Sequence, residues 1–305
     1  MNKVKDLERP AFQALLAGPG LRLVTGPFNC SLRTDVADIA AELATLYGEH
    51  ELVPEGAMVD FYVQVTATPG LRRWLRPQVQ FFADGVTPFT PLPSAQALPM
   101  LEWGLNWCVT AYSHHLLVLH AACVARDDLA VILPAPPGSG KSTLCAALVN
   151  RGWRLLSDEL TLVDFNAGRV WGLARPVNLK NASIDVIKRF APDAFLTRPV
   201  HDTAKGTVAL MAPPTASVQA GSRPARPCWM VLPKYEAGAA ATLEPMPRGQ
   251  AFLQIADNAM NYAVLGRQGF ETVGELTARC EHFSFRYGNL EEAMQVFDGL
   301  ARSHP

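Results

Sequence analysis

The 305-residue sequence lacks several features, and each absence excludes something. No run of about eighteen apolar residues appears, the length a membrane-spanning helix requires. The best stretch, Leu116 to Val124, is shorter and is interrupted by His120. Net charge is nearly absent: 27 Lys and Arg stand against 28 Asp and Glu, leaving −1. That balance gives no general electrostatic case for binding nucleic acid or an anionic membrane. Cysteine is sparse, with 6 residues scattered without a CxxC pair and mostly among apolar neighbours. This pattern fits reduced core residues, not disulfides or a zinc site. The opening residues, Met1-Asn-Lys-Val-Lys-Asp-Leu-Glu-Arg9, lack an apolar stretch and a cleavage site, so a cytoplasmic protein is expected. With 49% hydrophobic and 18% charged residues, the chain reads as globular and long enough for two domains.

The most informative stretch is Ala135-Pro-Pro-Gly-Ser-Gly-Lys-Ser-Thr143. Leu129-Ala-Val-Ile-Leu-Pro134 before it reads as a buried parallel strand. Leu144, Ala147 and Leu148 behind it read as a short helix stopped at Arg151-Gly152. Strand, glycine-containing loop, then a helix opening on Lys-Ser is the setting of a phosphate-binding loop. Its backbone N–H groups and the positive end of the helix converge on one point and attract an anion. Pro137, Gly138, Ser139, Gly140, Lys141, Ser142 and Thr143 are therefore the expected ATP contacts. Lys141 suits the β- and γ-phosphates, and the Ser142 hydroxyl suits Mg²⁺. Ala135 stands where a glycine is usual, so the first turn must accommodate a Cβ, with a negative φ.

Upstream, Leu21 to Thr25 and Phe28 to Arg33 read as strands joined at Gly26-Pro27. Asp35 is expected to cap a helix presenting Ile39, Leu43, Leu46 and Tyr47 on one face. Val59 to Val65 and Gln78 to Phe82 read as further strands. Arg72, Arg73 and Arg76 form a small basic cluster, a pattern that is more often a solvated surface than a docking site. The proline-rich segment Thr87 to Pro99 suits a linker, which divides the chain into residues 1–98 and 99–305. A helix is expected from about Pro99 to Ser113, its aromatics serving as core. His120 then lies within a buried strand, where a lone histidine is ordinarily a satisfied core residue. Asp158-Glu159, at a strand end just after the loop's helix, is placed for Mg²⁺ or for a substrate hydroxyl. Lys205, flanked by Asp202 and Gly206, suits a mobile loop that contacts phosphate.

His120, the loop, and Gly152-Trp-Arg-Leu-Leu-Ser-Asp-Glu159 occur in an order that resembles the kinase domain of HPr kinase/phosphorylase. The chain resembles one branch, the HPr kinase-related kinases of family A, more closely. The resemblance rests on Leu21-Arg-Leu with Gly26-Pro-Phe28, Leu101-Glu-Trp-Gly-Leu-Asn-Trp-Cys108 and Leu119-His-Ala-Ala122. It continues through Pro136 to Leu144, Arg154 to Glu159 and Lys205-Gly-Thr-Val208.

The resemblance implies an α/β fold: an HPr kinase/phosphoenolpyruvate carboxykinase-like P-loop domain behind a small N-terminal α+β domain. It implies an enzyme that uses ATP and Mg²⁺ to phosphorylate a hydroxyl, of serine or threonine type, on a protein or peptide. His120 becomes an active-site residue and Asp158 the base. Lys141, Arg175 and Lys205 become phosphate contacts, with Lys180 an alternative to Arg175. Ser142, Glu159 and Asp158 become the metal set. Glu159 stands where the family has a second aspartate. Family A members lie near small PqqD-like peptide-binding proteins, which implies such a partner. The family's oligomers leave a homo-oligomer open here. A nucleotide-gated ATPase switch, a small-molecule kinase and a carboxykinase-like enzyme are the alternatives.

Overall fold

The computed structural model describes residues 2–70, 75–165 and 168–303. Arg72 and Arg73 of the basic cluster, and the turn at Asn166, lie outside the described residues. The architecture is mixed α/β, with three sheets, of which the two larger mix parallel and antiparallel pairs.

The first sheet has the order β1-β2-β3-β4-β5: Leu21–Thr25, Phe28–Thr34, Phe61–Ala67, Gln78–Ala83 and Leu92–Pro93. Alternation in Phe61, Val63 and Val65, and in Val79, Phe81 and Ala83, sends one face of the sheet inward. Helices α1 (Arg9–Ala17) and α2 (Ala40–Leu46) accompany it. Asp35 does not cap α2. Its carboxylate accepts from the Ala67 N–H at 2.8 Å, and a 3-10 turn over Ala37–Ile39 starts the helix instead. A local helix signal here loses to a strand-edge donor that lies 32 residues away in sequence.

Helix α3 (Ala97–Tyr112) begins two residues ahead of the expected Pro99, because proline is tolerated in the first turn. It is nearly all apolar and lies on the first sheet. Its Leu98, Leu101, Leu105 and Cys108 share one core with Val63, Phe81, Val118 and Leu162, so that core draws on both sides of residue 98. Contact is closest at Gly104, where an added Cβ would come within 2.0 Å of the Phe81 ring.

The eight-stranded sheet has the order β10-β9-β6-β7-β14-β16-β15, with β8 also paired to β6. These strands are β6 (Leu116–Arg126), β7 (Leu129–Pro134), β8 (Arg154–Ser157), β9 (Leu160–Asp164) and β10 (Val170–Trp171). The remainder are β14 (Arg226–Tyr235), β15 (Thr242–Pro245) and β16 (Glu281–Tyr287). A small third sheet, β11-β13-β12, is formed by Val177–Lys180, Gly206–Met211 and Val200–Thr203. Side chains alternate along β6. Leu117, Leu119, Ala121 and Cys123 meet helices α6 (Arg248–Asn258) and α7 (Arg267–Arg279). On the other face Ala122 and Val124 meet α4 (Lys141–Asn150) and α8 (Leu290–Arg302), together with β11 and β13, against which α5 (Ala182–Phe190) packs. His120 therefore shares its face with the phosphate loop. No described helix is long and apolar enough to cross a membrane.

Gly104→Ala tests the packing of α3. Alanine is the better helix former by about 1 kcal/mol. Overpacking against the fully buried Phe81 should nevertheless give a net loss of about 1–3 kcal/mol, read as a lower urea midpoint.

Candidate active site

The phosphate loop runs from the end of β7 into α4, as its sequence demands. Gly138 and Gly140 take φ of +86° and +88°, values that favour glycine. Ala135 is not among the residues of positive φ, and its Cβ is buried without displacing the turn. No side chain caps α4, so its first N–H groups stay open to an anion. The loop is tied down from the neighbouring strand ends. The Tyr235 N–H donates to the Ser139 carbonyl at 2.8 Å, and the Tyr287 hydroxyl donates to the Gly140 carbonyl at 3.0 Å. A Cβ on Gly140 would lie 2.5 Å from that hydroxyl.

Lys141 is buried, and its ammonium lies 3.3 Å from His120 Nε2. Burial lowers the Lys141 pKa, with Asp158 and Glu159 acting the other way. Burial and then Lys141 pull His120 down to about 4, leaving it a neutral imidazole that can accept from the ammonium.

The carboxylates owe their position to a break in strand pairing. β8 pairs with β6 at Cys123 to Ala125, whereas β9 pairs with it from Leu116 to His120. Asp158 and Glu159 bridge that jump, and the Ser157 hydroxyl accepts the Leu160 N–H at 3.0 Å to close the turn. The pair is thereby held beside His120.

The two carboxyls are pushed apart. Burial, then Glu159, raises Asp158. Its Oδ2 accepts the Asn178 N–H at 3.0 Å, while its buried Oδ1 has no partner. Burial also pushes Glu159 up, but Lys205, Lys180 and Lys141 together outweigh it and its pKa falls. Lys180 lies 3.5 Å and Lys205 4.0 Å from Glu159 Oε1. Asn106 Nδ2 donates to Oε2 at 2.6 Å, and Asn178 Nδ2 lies 3.4 Å from Oε1. Opposed shifts in neighbouring carboxyls are what separate acid–base work from fixed charge.

Both carboxylates line a small, narrow cleft with Glu102, Asn106, Arg175 and Asn178. Arg175 is buried there and donates to the Asn106 side chain. Lys205 stands in the turn between β12 and β13, with its ammonium 5.0 Å from the Trp103 ring centroid. Asp158 and Asn178 both line this cleft, and each has a buried, unpartnered Oδ1. Hard oxygen donors of this kind suit Mg²⁺, which takes one or two carboxylates and completes its shell with phosphate and water. Ser142, partly exposed in the first turn of α4, is a further oxygen donor, on the phosphate side.

Of the residues singled out in the sequence, Lys141 and His120 meet directly, and Asp158, Glu159 and Lys205 form one charge cluster with Lys180. Arg175 lies in the wall of the cleft, reaching Glu159 through Asn106. Sequence reasoning missed Asn106, Asn178, Glu102 and Tyr47. A signal existed for two of these: Glu102 and Asn106 are polar residues one turn apart in an otherwise apolar helix.

No family model matches the chain, and no curated protein matches it. Among solved structures, the HPr(Ser) kinase/phosphatase from Coxiella burnetii aligns over 61% of this chain and 95% of its own, with 11% identity and a TM-score of 0.26. The functional reading rests instead on the geometry above.

The depressed His120 pKa has a consequence for stability. The unfolded imidazole titrates near its ordinary 6.5, so on acidification the unfolded chain takes up a proton that the folded chain refuses. The stabilising contribution is complete above pH 6.5 and is lost as pH falls towards 4. His120→Asn should therefore flatten the decline in stability between pH 7 and 5 by on the order of 1 kcal/mol, given the ring's partial exposure. Urea midpoints at the two pH values check this.

Proposed function

We propose that the chain is an ATP- and Mg²⁺-dependent kinase that transfers the γ-phosphate to a hydroxyl, of serine or threonine type, on a protein or peptide. The observation that carries the reading is the carboxyl pair with opposed pKa shifts, set against Lys141 at the mouth of an uncapped phosphate loop.

In this reading the loop N–H groups and Lys141 hold the β- and γ-phosphates, and His120 accepts from Lys141 and fixes its direction. Asp158 takes the proton of the attacking hydroxyl as the new O–P bond forms and the bond to the β-phosphate oxygen breaks, releasing ADP. Burial raises Asp158 toward the working pH, which favours proton transfer. Glu159 stays ionised against Lys180 and Lys205, which are placed to meet the charge that spreads onto the transferring group. Ser142, Asp158 and Glu159, with Asn178, would hold the metal. A Mg²⁺ held there would supply positive charge to offset the charge that develops on the transferring group. The sequence resemblance adds a PqqD-like peptide-binding partner, while the division into residues 1–98 and 99–305 rests on the proline-rich segment Thr87 to Pro99 alone.

Asp158→Asn should lower transfer by about 10²–10⁴-fold and leave ATP affinity nearly intact, whereas Lys141→Ala should weaken both. Single-turnover assays with γ-labelled ATP and the protein that co-purifies with the chain decide the class. Label on a peptide or protein hydroxyl supports the kinase. Label appearing only as inorganic phosphate means a nucleotide-gated ATPase and ends this reading.

A further inference from the structure

The stretch Leu101-Glu-Trp-Gly-Leu-Asn-Trp-Cys108 is a further sequence feature at this site, and the proposed chemistry leaves its residues without a role. It forms the middle of α3, a helix otherwise committed to packing on the first sheet. Glu102, Trp103 and Asn106 break that pattern. Positions 102 and 106, and positions 103 and 106, are neighbours on one helical face. That face looks toward the carboxylates and not toward the sheet.

Asn106 and Trp103 contact members of the charge cluster, and Glu102 lines the cleft wall with Arg175. Asn106 uses both ends of its amide, donating to Glu159 Oε2 at 2.6 Å and accepting from Arg175. The Trp103 ring lies under Lys205, whose ammonium also faces Glu159 at 4.0 Å. Glu102 is buried, accepts the Tyr47 hydroxyl and lines the same cleft wall as Arg175, and burial raises its pKa. The contacts run from the end of α2 through α3 to Glu159. Burying a carboxylate, a guanidinium and an amide in this way is costly compared with apolar packing. An apolar helix lying on a sheet has no need of them.

We propose that this face of α3 is a positioning element for phosphoryl transfer: Asn106, held by Arg175, aims Glu159, and Trp103 holds Lys205 beside it, while the Tyr47–Glu102 hydrogen bond ties the helix to the end of α2. The assignment rests on the kinase reading of the same site. None of the three residues touches the reacting atoms. Their effect passes through the orientation of Glu159 and Lys205, and the N-terminal sheet shares in setting the site because α3 is bound to it.

Asn106→Asp is the decisive variant. It keeps the side-chain shape and the oxygen that accepts from Arg175, but replaces the donor facing Glu159 with a second carboxylate oxygen. Transfer of label from γ-labelled MgATP to the co-purifying acceptor by the full chain should fall about ten- to a hundredfold in kcat. KM for ATP and the Kd of metal-free ADP should stay within about twofold, as expected when an interaction acts in the transfer step and not in nucleotide binding. Trp103→Phe and Trp103→Leu provide a second test. Phenylalanine retains an aromatic face for Lys205 and should keep most of the rate, whereas leucine should not. Wild-type kcat in Asn106→Asp, an equal loss in kcat and ADP affinity, or equal rates in the two Trp103 variants would overturn the assignment alone. A wild-type chain that moves no label from γ-labelled MgATP to the co-purifying acceptor would overturn the kinase reading and this inference with it.

Discussion

Glu159 is the group around which the functional half of the molecule is arranged. Its carboxylate is nearly buried, and an ion in that position survives only with several partners. They come from three different places: Asn106 from α3, Lys180 and Asn178 from β11, and Lys205 from the turn between β12 and β13. Meeting the needs of one carboxylate therefore brings a helix of the first sheet's core, the small third sheet and the β8–β9 turn together. Removing Glu159 would take away the carboxylate that both Lys180 and Lys205 face. The same arrangement separates the two carboxyls electrically, because the cations collect on Glu159 while Asp158 is left to burial.

The phosphate loop obeys a different constraint. Its shape is local, set by two glycines of positive φ and an uncapped helix. Its placement is tertiary, because Tyr287 and Tyr235 hold Gly140 and Ser139 from the ends of strands far along the chain. Parallel pairing of β7, β14 and β16 puts those strand ends at the same edge. His120 is brought to the loop by the alternation of β6, which turns every second side chain toward α4.

These origins explain what could be read in advance. The loop, its strand and its helix are contiguous, so their pattern of apolar residues, glycines and Lys-Ser was legible. The same holds for the Asp158-Glu159 doublet and, by resemblance, for His120. Asn178 and Tyr47 were not legible, because nothing in their neighbourhoods marks them and their roles arise from partners 20 and 55 residues away. Asp35 was misread for the related reason that a cap and a strand-edge acceptor need the same side chain, and only the fold decides between them. The start of α3 shifted because proline is compatible with a first helical turn.

The sequence by itself determined the local pattern: a glycine-containing loop between a strand and a helix that opens on Lys-Ser, a strand bearing a histidine, a pair of adjacent acids, and amphipathic elements enough for a mixed α/β fold. Backbone propensity and side-chain period act over a few residues, and these features need no more than that. Tertiary structure alone decided which acid is neutralised by lysines and which is left to desolvation. It also decided that Arg175 reaches Glu159 through Asn106, and that an apolar helix offers two polar side chains, Glu102 and Asn106, to the cleft. The reason is physical. Burial and Coulomb interaction depend on distance in space, and the groups that set them in this site lie on segments separated along the chain.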